Sequence, residues 1–263
     1  MTSQKQLKDI ANILRRDSLI STTEAGSGHP TSCMSSAEIM STLFFNEMSY
    51  NNKQPFNPDN DEFILSKGHA APILYSALYR SDCIKNDLKS LRKLHSPLEG
   101  HPMPRSLKWI KVATGSLGQG LSVGVGMALA AKLQKRKYRT YVLMGDSEVA
   151  EGSVYEAFEL ASYYKLNNLV AIIDVNRLGQ RGITMPQHNL DLYKKRFQGF
   201  NWKVIVINGH KVESILNALK QARSSSKPTV ILAKTFKGKG VSFLENKEGW
   251  HGKALDKNQL EKH

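Results

Sequence analysis

The chain has 263 residues, enough to bury a sizeable hydrophobic core, and no internal repeat or low-complexity linker indicates a second domain. No apolar run approaches the ~20 residues of a membrane span, and the first residues lack the apolar segment of a signal peptide, so we expect a cytoplasmic protein without membrane association. Its two cysteines, Cys33 and Cys83, are too few for a disulfide framework or a cysteine-rich zinc cluster.

The formal net charge of +14 at pH 7 indicates anionic partners. The densest group of cations comprises Lys132, Lys135, Arg136, Lys137 and Arg139, where a predicted helix ends before a strand. Cations at the carboxyl end of a helix complement its dipole, so we expect this group to be a solvated face. No zinc-finger, KH or RRM pattern accompanies it. Nucleic acid is therefore not an expected partner, whereas an anionic ligand or an acidic partner subunit fits the charge.

The amino-terminal part of the chain is predicted to be helical up to a glycine-rich break. Apolar residues at helical spacing predict an amphipathic helix over residues 6–23. The loop at residues 26–30 cannot continue that helix because of its glycines and proline, and it carries His29. A second helix is predicted over residues 35–45, with a serine cap at its start.

The next loop follows a strand and carries a lysine and a histidine. The strand is predicted over residues 63–66, and Lys67 and His69 come directly after it. A helix is predicted over residues 70–79. A helix start with lysine and histidine nearby is suited to binding an anion.

Two more loops precede the centre of the chain. Residues 84–94 predict a short helix, and a proline-rich loop after it carries His101. The glycine-rich loop at residues 115–120 opens a helix over residues 121–133, whose small residues allow close packing. This loop lacks the lysine and hydroxyl of a P-loop, so by itself it is a weak indication of phosphate binding.

The strongest pattern is a pair of buried strands that each end in a polar side chain. Residues 141–144 form the continuous apolar run of a parallel strand, Gly145 permits a sharp turn, and Asp146 follows. A second such strand, residues 169–175, leads into Asn176. Parallel strands end at one edge of a sheet, where ligands bind. Carboxylate, amide and backbone carbonyl oxygens suit Mg²⁺ or Ca²⁺, although each fragment alone is also consistent with a helix cap or a turn.

The remaining elements continue the alternation of strands and helices. Helices are predicted over residues 153–164, 190–197 and 212–222, and strands over residues 202–207 and 229–234. This alternation predicts an α/β fold, with a doubly wound, mainly parallel sheet and helices on both faces, in one domain over residues 1–263. After the last strand, Lys237 and Lys239 fit either a charged surface loop or part of a site.

With these motifs in view, the sequence resembles a known enzyme family. Gly145 and Asp146, followed about thirty residues later by Asn176, resemble the thiamine diphosphate signature, with Ser147 where glycine is common. Six segments in the same order resemble transketolases of the animal type over essentially the full length. They are SGHPTSC (27–33), LSKGHAAPILY (65–75), ATGSLGQG (113–120), NRLGQ (176–180), AKTFKGKG (233–240) and WHGK (250–253).

The resemblance covers only the amino-terminal domain of a transketolase, which holds the cofactor's diphosphate and metal. It implies thiamine diphosphate and Mg²⁺, or Ca²⁺ or Mn²⁺ in its place, as cofactors. It also implies that the pyrimidine-binding and carboxyl-terminal domains, with the glutamate that activates the cofactor, are on a separate chain. We therefore expect one subunit of a split enzyme, in a dimer or an α2β2 heterotetramer, although a piece of one longer chain would have the same sequence.

The implied reaction is that of the pentose phosphate pathway. A two-carbon ketol unit passes from a ketose phosphate, such as xylulose 5-phosphate, to an aldose phosphate. The sequence does not identify the donor and the acceptor.

The resemblance implies a role for each matching residue. The implied metal ligands are Asp146, Asn176 and the backbone carbonyl of Leu178. The implied catalytic histidines are His29, His101 and His251. Asp146, Asn176 and His251 are also implied to touch the cofactor. The other implied cofactor contacts are His69, Gly115, Leu117, Gly145, Ser147 and Glu151. Of these, Glu151 is implied to belong to an acidic network that couples cofactor sites across subunits. The residues implied near the substrate channel are Lys67, Gln180 and Lys253.

Other interpretations stay open at this point. The chain could belong to another thiamine diphosphate enzyme, such as a deoxyxylulose-phosphate synthase or a dehydrogenase subunit, or to a transketolase with a specialised ketose. It could also be a non-catalytic binding protein on the same fold, or a nucleic-acid binder that uses the positive charge. The contexts of His101 in Gly-His-Pro and of His251 in Trp-His-Gly favour ketose handling.

Overall fold

The fold is built on one sheet of five parallel strands, in the order β1-β2-β3-β5-β4. The computed structural model describes residues 2–262. The strands are β1 (Glu62–Leu65), β2 (Thr140–Gly145), β3 (Leu169–Val175), β4 (Lys203–Asn208) and β5 (Thr229–Lys234). The parallel sheet predicted from the alternation of elements is confirmed, and so is the α/β class.

Nine α-helices surround or extend this sheet within the described residues. They are α1 (Gln4–Ala25), α2 (Pro30–Met34), α3 (Ala37–Thr42), α4 (Ala71–Arg80), α5 (Gln119–Leu133), α6 (Gly152–Tyr163), α7 (Leu190–Gly199), α8 (Val212–Arg223) and α9 (Lys257–Glu261). No helix in residues 2–262 is both long enough and apolar enough to cross a lipid bilayer.

Hydrophobic cores lie on both faces of the sheet, because its central strands are apolar throughout and their side chains alternate in direction. In β2, Tyr141 and Leu143 pack on the side of α1, α3, α4 and α8. Val142 and Met144 pack on the opposite side, with α5, α6 and α7. The helices on both faces are those of a doubly wound sheet.

Two predicted helices differ from the structure. Residues 84–94 contain only a short 3₁₀ turn, Leu88–Ser90, because Leu91 adopts an extended backbone and Arg92 a left-handed one (φ 59°). The helix predicted over residues 35–45 begins earlier, at Pro30, and is broken into α2, α3 and a single π turn, Leu43–Glu47. In both places the segment packs against α1.

The carboxyl-terminal segment is fixed onto the start of the chain by a third, smaller core. Val241, Leu244 and Leu255 pack against Leu19 and Met34 of the first two helices. This packing brings the loop after β5, and the tail beyond it, to the loop that follows α1.

Candidate functional site

The candidate site lies where four neighbouring strands end. His69 follows β1, Asp146 follows β2, Asn176 follows β3 and Lys237 follows β5. Because the strands are parallel, these residues share the carboxyl edge of the sheet, where ligands bind in open α/β folds. The sequence predicted this edge, and the strand order places its polar residues side by side.

Asp146 is held in place by backbone amides of two segments. Its Oδ1 accepts from the Ser147 amide at 2.9 Å, and its Oδ2 accepts from the Arg177 amide at 2.6 Å. The side chain is 3% exposed. Burial, with the negative charge of Asp174 nearby, raises the pKa of Asp146 to about 6. A cation would stabilise the ionised carboxylate here.

Asn176 and Leu178 belong to the turn that Asp146 contacts. Asn176 donates from Nδ2 to the Asp174 carboxylate at 3.3 Å, and its Oδ1 accepts from the Leu178 amide at 3.2 Å. The Leu178 carbonyl accepts from the Nζ of Lys237 at 2.9 Å. Thus the structure brings the three sequence-predicted metal ligands to one turn, and a positive charge already lies against one of them.

The donor set is one carboxylate, one amide and one backbone carbonyl. No group of three or more His, Cys, Asp or Glu side chains suited to a metal occurs in residues 2–262. Such an oxygen set is typical of Mg²⁺ or Ca²⁺ and not of zinc.

Lys237 is a residue of the site that the sequence left undecided. It is 4% exposed, and its Nζ contacts the carbonyls of Leu178 and Gly179 and, at 2.8 Å, the Nδ1 of His251. It forms no ion pair with a carboxylate of residues 2–262. Burial and the nearby Lys67 ammonium lower the pKa of Lys237 to about 8. Its position three residues after the end of β5, in the loop at the same edge as Asp146 and Asn176, was the signal that could have identified it.

Three imidazoles form a cluster beside Lys237. The ring centroids of His29, His69 and His251 are 5.0–5.3 Å apart. Burial is the main cause that lowers the pKa of His29 to about 4, that of His251 to about 3, and that of His69 well below its usual value. All three rings are therefore neutral at pH 7. The Nδ1 of His29 is buried and has no hydrogen-bond partner in the described chain.

His101 joins this group through the glycine-rich loop. Gly115 has φ +139°, and a Cβ there would lie 2.7 Å from Cδ2 of the His101 ring. The ring therefore lies too close to Gly115 for a Cβ, and the positive φ also favours glycine at this position. Burial, and the charge of Arg92, lower the pKa of His101 as well.

Lys67, which the resemblance places near the substrate channel, forms a buried ion pair. It is 1% exposed, and its Nζ donates to the Asp174 carboxylate at 2.5 Å and to the Ser32 carbonyl at 2.7 Å. Asp174 also accepts from the hydroxyls of Ser35 and Thr235. The Lys67 ammonium is thus paired with Asp174, whose carboxylate also accepts a hydrogen bond from Asn176. Asp174, in the apolar run of β3, gave no signal of this role in the sequence.

Glu148 is a second buried acid that the sequence analysis missed. It is 1% exposed, and its carboxylate accepts from the amides of Gly118 and Gly145, at 2.9 and 3.0 Å, and from the Ser66 hydroxyl. Burial raises the pKa of Glu148, although these three donors oppose the shift. The carboxylate joins the loop after β1, the loop before α5 and the end of β2.

The remaining predicted residues lie around this centre with fewer contacts. Leu117 is half-buried, and Glu151 is exposed at the start of α6, where a Cβ at Gly118 would lie 2.6 Å from its Cβ. Gln180 is exposed and lines a cavity of about 450 Å³ that also touches Asp146 and Ser147. Lys253 is exposed two residues after His251. Their roles stay predictions.

Comparison with known proteins places the chain in one family. Residues 6–263 match the family model described as "Transketolase, thiamine diphosphate binding domain". The chain is 53% identical over 257 residues to human transketolase, covering 97% of this chain and 41% of that protein. It is 51% identical over 263 residues to bovine transketolase-like protein 2, covering 99% of this chain and 42% of that protein.

Solved structures agree with the sequence matches. A transketolase from Campylobacter jejuni superposes with a TM-score of 0.92 at 38% identity, covering 98% of this chain and 42% of that one. A transketolase from Leishmania mexicana superposes with a TM-score of 0.90 at 30% identity, covering 99% and 40%. The chain thus spans about two fifths of the length of the relatives it matches.

Proposed function

Because the chain belongs to the family of transketolase thiamine diphosphate binding domains, we propose that it holds the diphosphate of this cofactor together with a divalent metal. Together with the rest of a transketolase, it transfers a two-carbon ketol unit. The donor is a ketose phosphate such as xylulose 5-phosphate, and the acceptor is an aldose phosphate. This is the transketolase reaction of the pentose phosphate pathway, which we expect in the cytoplasm.

The observation that carries the proposal is a buried positive charge without a carboxylate partner, next to three oxygen ligands. Lys237 contacts only carbonyls and an imidazole. Burying an ammonium in this way is costly, and a diphosphate would neutralise it. Asp146, Asn176 and the Leu178 carbonyl would hold Mg²⁺, which usually takes few protein ligands and completes its shell with phosphate oxygens and water. The residues fit both groups.

The histidine cluster supplies neutral hydrogen-bond donors for the same anion. An ammonium can only donate, so the Nδ1 of His251 accepts from Lys237 and the ring proton is on Nε2. That N–H, and one from His69, can donate to diphosphate or substrate oxygens without adding charge. Gly145 and Ser147 flank Asp146 and would border the cofactor, with their amides donating to the carboxylates of Glu148 and Asp146.

The reacting carbon comes from the cofactor, which supplies a carbon nucleophile for a ketose carbonyl when it is bound. The chain contributes proton handling beside it. His29 and His101 are neutral at pH 7 because burial lowers their pKa values, so each ring has one nitrogen that accepts and one that donates. We assign them the uptake and return of substrate hydroxyl protons. Leu117 and Gly115 form the wall beside them.

We also propose a partner that carries the pyrimidine-binding and carboxyl-terminal parts. The chain spans 41% of the length of the human relative, so the remaining parts of a transketolase lie outside residues 1–263. The arrangement proposed is a dimer or an α2β2 heterotetramer with these parts on a separate chain. Exposed Glu151 would meet the partner at the subunit interface, and exposed Gln180 and Lys253 would face the substrate channel.

The test replaces Asp146 by asparagine and measures cofactor binding to the chain by calorimetry, with Mg²⁺ and with EDTA. Asparagine keeps the size of the side chain but removes the charge that holds the metal. We expect the Mg²⁺-dependent part of the affinity for thiamine diphosphate to fall by more than the ~10–100-fold that loss of an outer partner of a metal ligand costs. Binding measured in EDTA should change little.

The matched control is Asp82→Asn, which neutralises an exposed acid far from the site. It should bind like the wild type. If Asp146→Asn keeps the wild-type Mg²⁺ dependence while melting normally, Asp146 is not a metal ligand and the proposed site fails. Ketol transfer from xylulose 5-phosphate, assayed with the partner chain present, tests the reaction separately.

A further inference from the structure

A row of cationic side chains lies at the edge of the sheet opposite the candidate site. In a parallel sheet each helix returns to this edge before the next strand begins, so the ends of α5, α6 and α8 meet there. We call this surface the basic edge. Its members are Lys132, Lys135, Arg136, Lys137, Arg139, Lys165, Lys203, Lys220, Arg223 and Lys227.

Hydrogen bonds between neighbouring loops make the row continuous. Lys132 donates to the Tyr164 carbonyl at 2.7 Å, which links the end of α5 to the end of α6. Arg139 donates to the carbonyls of Asn167 and Arg223, at 3.2 and 2.9 Å, and so joins the loop before β3 to the end of α8. With strands about 4.8 Å apart, the row crosses about 19 Å from the first strand to the last.

The helix dipole explains one cation at the carboxyl end of each helix, but the basic edge has ten cations for three helix ends. Arg136 pairs with Asp59 and Arg223 with Glu47, and the other cations have no carboxylate partner in the described chain. Lys135 and Lys165 adopt left-handed backbones, with φ of 57° and 51°, at positions where glycine is the usual residue after a helix. Their exposed ammonium groups make no hydrogen bond in residues 2–262.

An exposed aromatic pair lies within the same surface. Tyr163 is 75% exposed and Tyr164 is 40% exposed, and their ring centroids are 5.0 Å apart. The Tyr164 carbonyl binds Lys132, and Lys165 follows directly in the chain. Elsewhere on the basic edge, a cleft of about 790 Å³ is lined by five of its cations, among them Lys135 and Arg139, and also by the acids Glu47, Asp59 and Asp61.

We propose that the basic edge, with Tyr163 and Tyr164, binds single-stranded nucleic acid. A positively charged groove follows the phosphates of an unpaired strand, and exposed aromatic rings stack with its bases. A purely anionic partner would leave the tyrosines without a role, and paired bases could not reach their faces. The sequence predicts the basic group at residues 132–139 as a solvated face. The fold adds the cations of α8 and the two tyrosines at the end of α6 to the same edge, and this combination supports binding of a single strand.

The test measures fluorescence anisotropy of a labelled oligouridylate of about 12 nucleotides against the chain over a range of salt concentrations. Lys135→Glu with Lys137→Glu should weaken binding at least tenfold. It should also reduce the slope of log affinity against log salt by about 1.4, because single strands lose about 0.7 per phosphate contact. Tyr163→Ala with Tyr164→Ala should weaken binding at least about fivefold and leave the salt slope unchanged.

The matched control is Lys89→Glu with Lys93→Glu, which makes the same charge change on exposed lysines away from this edge. It should bind within about twofold of the wild type, corrected for overall charge by the salt series. Melting curves identify any variant that is misfolded. If Lys135→Glu with Lys137→Glu is misfolded, the single variant Lys137→Gln is tested in its place. Three results would overturn the proposal. They are equal losses in the control and test variants, tyrosine variants that bind normally, and binding of phosphatidylserine vesicles but not of the oligonucleotide.

Discussion

Replacing Glu148 by glutamine tests whether one buried carboxylate organises the loops of the candidate site. Its Oε1 accepts from the Gly118 amide and the Ser66 hydroxyl, and its Oε2 accepts from the Gly145 amide. Glutamine has one acceptor oxygen, and its NH₂ group can only donate. In either orientation of the amide, at least one buried backbone N–H faces a donor and has no acceptor.

The expected loss of stability follows from that count. An unsatisfied buried N–H costs about 1–3 kcal/mol, and the bonds that survive change from charge-assisted to neutral, which weakens each by about 1 kcal/mol. The neutral amide is cheaper to bury than a carboxylate, which offsets part of this. We expect a net destabilisation of about 2 kcal/mol, and so an unfolding temperature lower by roughly 4–8 °C at about 2–4 °C per kcal/mol.

Thermal melting and urea titration of Glu148→Gln measure the effect, with Glu159→Gln, an exposed acid on α6, as the matched control. The control should melt within about 1 °C of the wild type, because surface substitutions of this kind change stability little. Thiamine diphosphate binding should also weaken, since the amides of Gly118 and Gly145 lie in loops that border the site. A variant as stable as the control would refute the structural role assigned to Glu148.

Two further predictions concern a buried ion pair and a glycine. Glu38 is buried and pairs with Arg15 at 2.5 Å. Burial alone would raise its pKa, but its basic partners outweigh this and lower the pKa below 4.5. Glu38→Gln should therefore cost about 3–5 kcal/mol at pH 7 by urea titration, and the difference from the wild type should shrink as the pH falls below about 4.5, because the wild type then loses the same charge. Gly115→Ala should cost about 1–3 kcal/mol, because alanine is strained at φ +139°. NMR signals of the His101 ring should shift at the same time, whereas Gly126→Ala, with open space at its Cβ, should leave both unchanged or slightly improve stability.

The sequence determined the fold class and the edge of the sheet that carries the site. Strands buried on both faces need continuous apolar runs, and that requirement is local, so residues 141–144 and 169–175 are identified in the sequence before any packing is known. Asp146 and Asn176 follow those runs directly, which made their position at one edge predictable. The helix predicted over residues 84–94 was wrong, because four apolar residues lie there at helical spacing but the segment contains only a 3₁₀ turn, which contacts α1.

The family resemblance rests on the order of short motifs, and the family itself is confirmed by the match over residues 6–263. The metal ligands, the catalytic histidines and the partner chain stay predictions, which the experiments above address.

Tertiary structure alone decided how the charged groups pair. Lys67 and Asp174 lie 107 residues apart, and they meet because β1, β2 and β3 are neighbours in the sheet. Lys237 reaches the Leu178 carbonyl because β5 lies beside β3, although β4 separates them in the chain. Strand order depends on contacts between distant segments, and local patterns of apolar and polar residues do not specify it. The sequence therefore identifies the polar residues at the edge, and packing determines which of them pair with an opposite charge and which, like Lys237, contact only carbonyls and an imidazole.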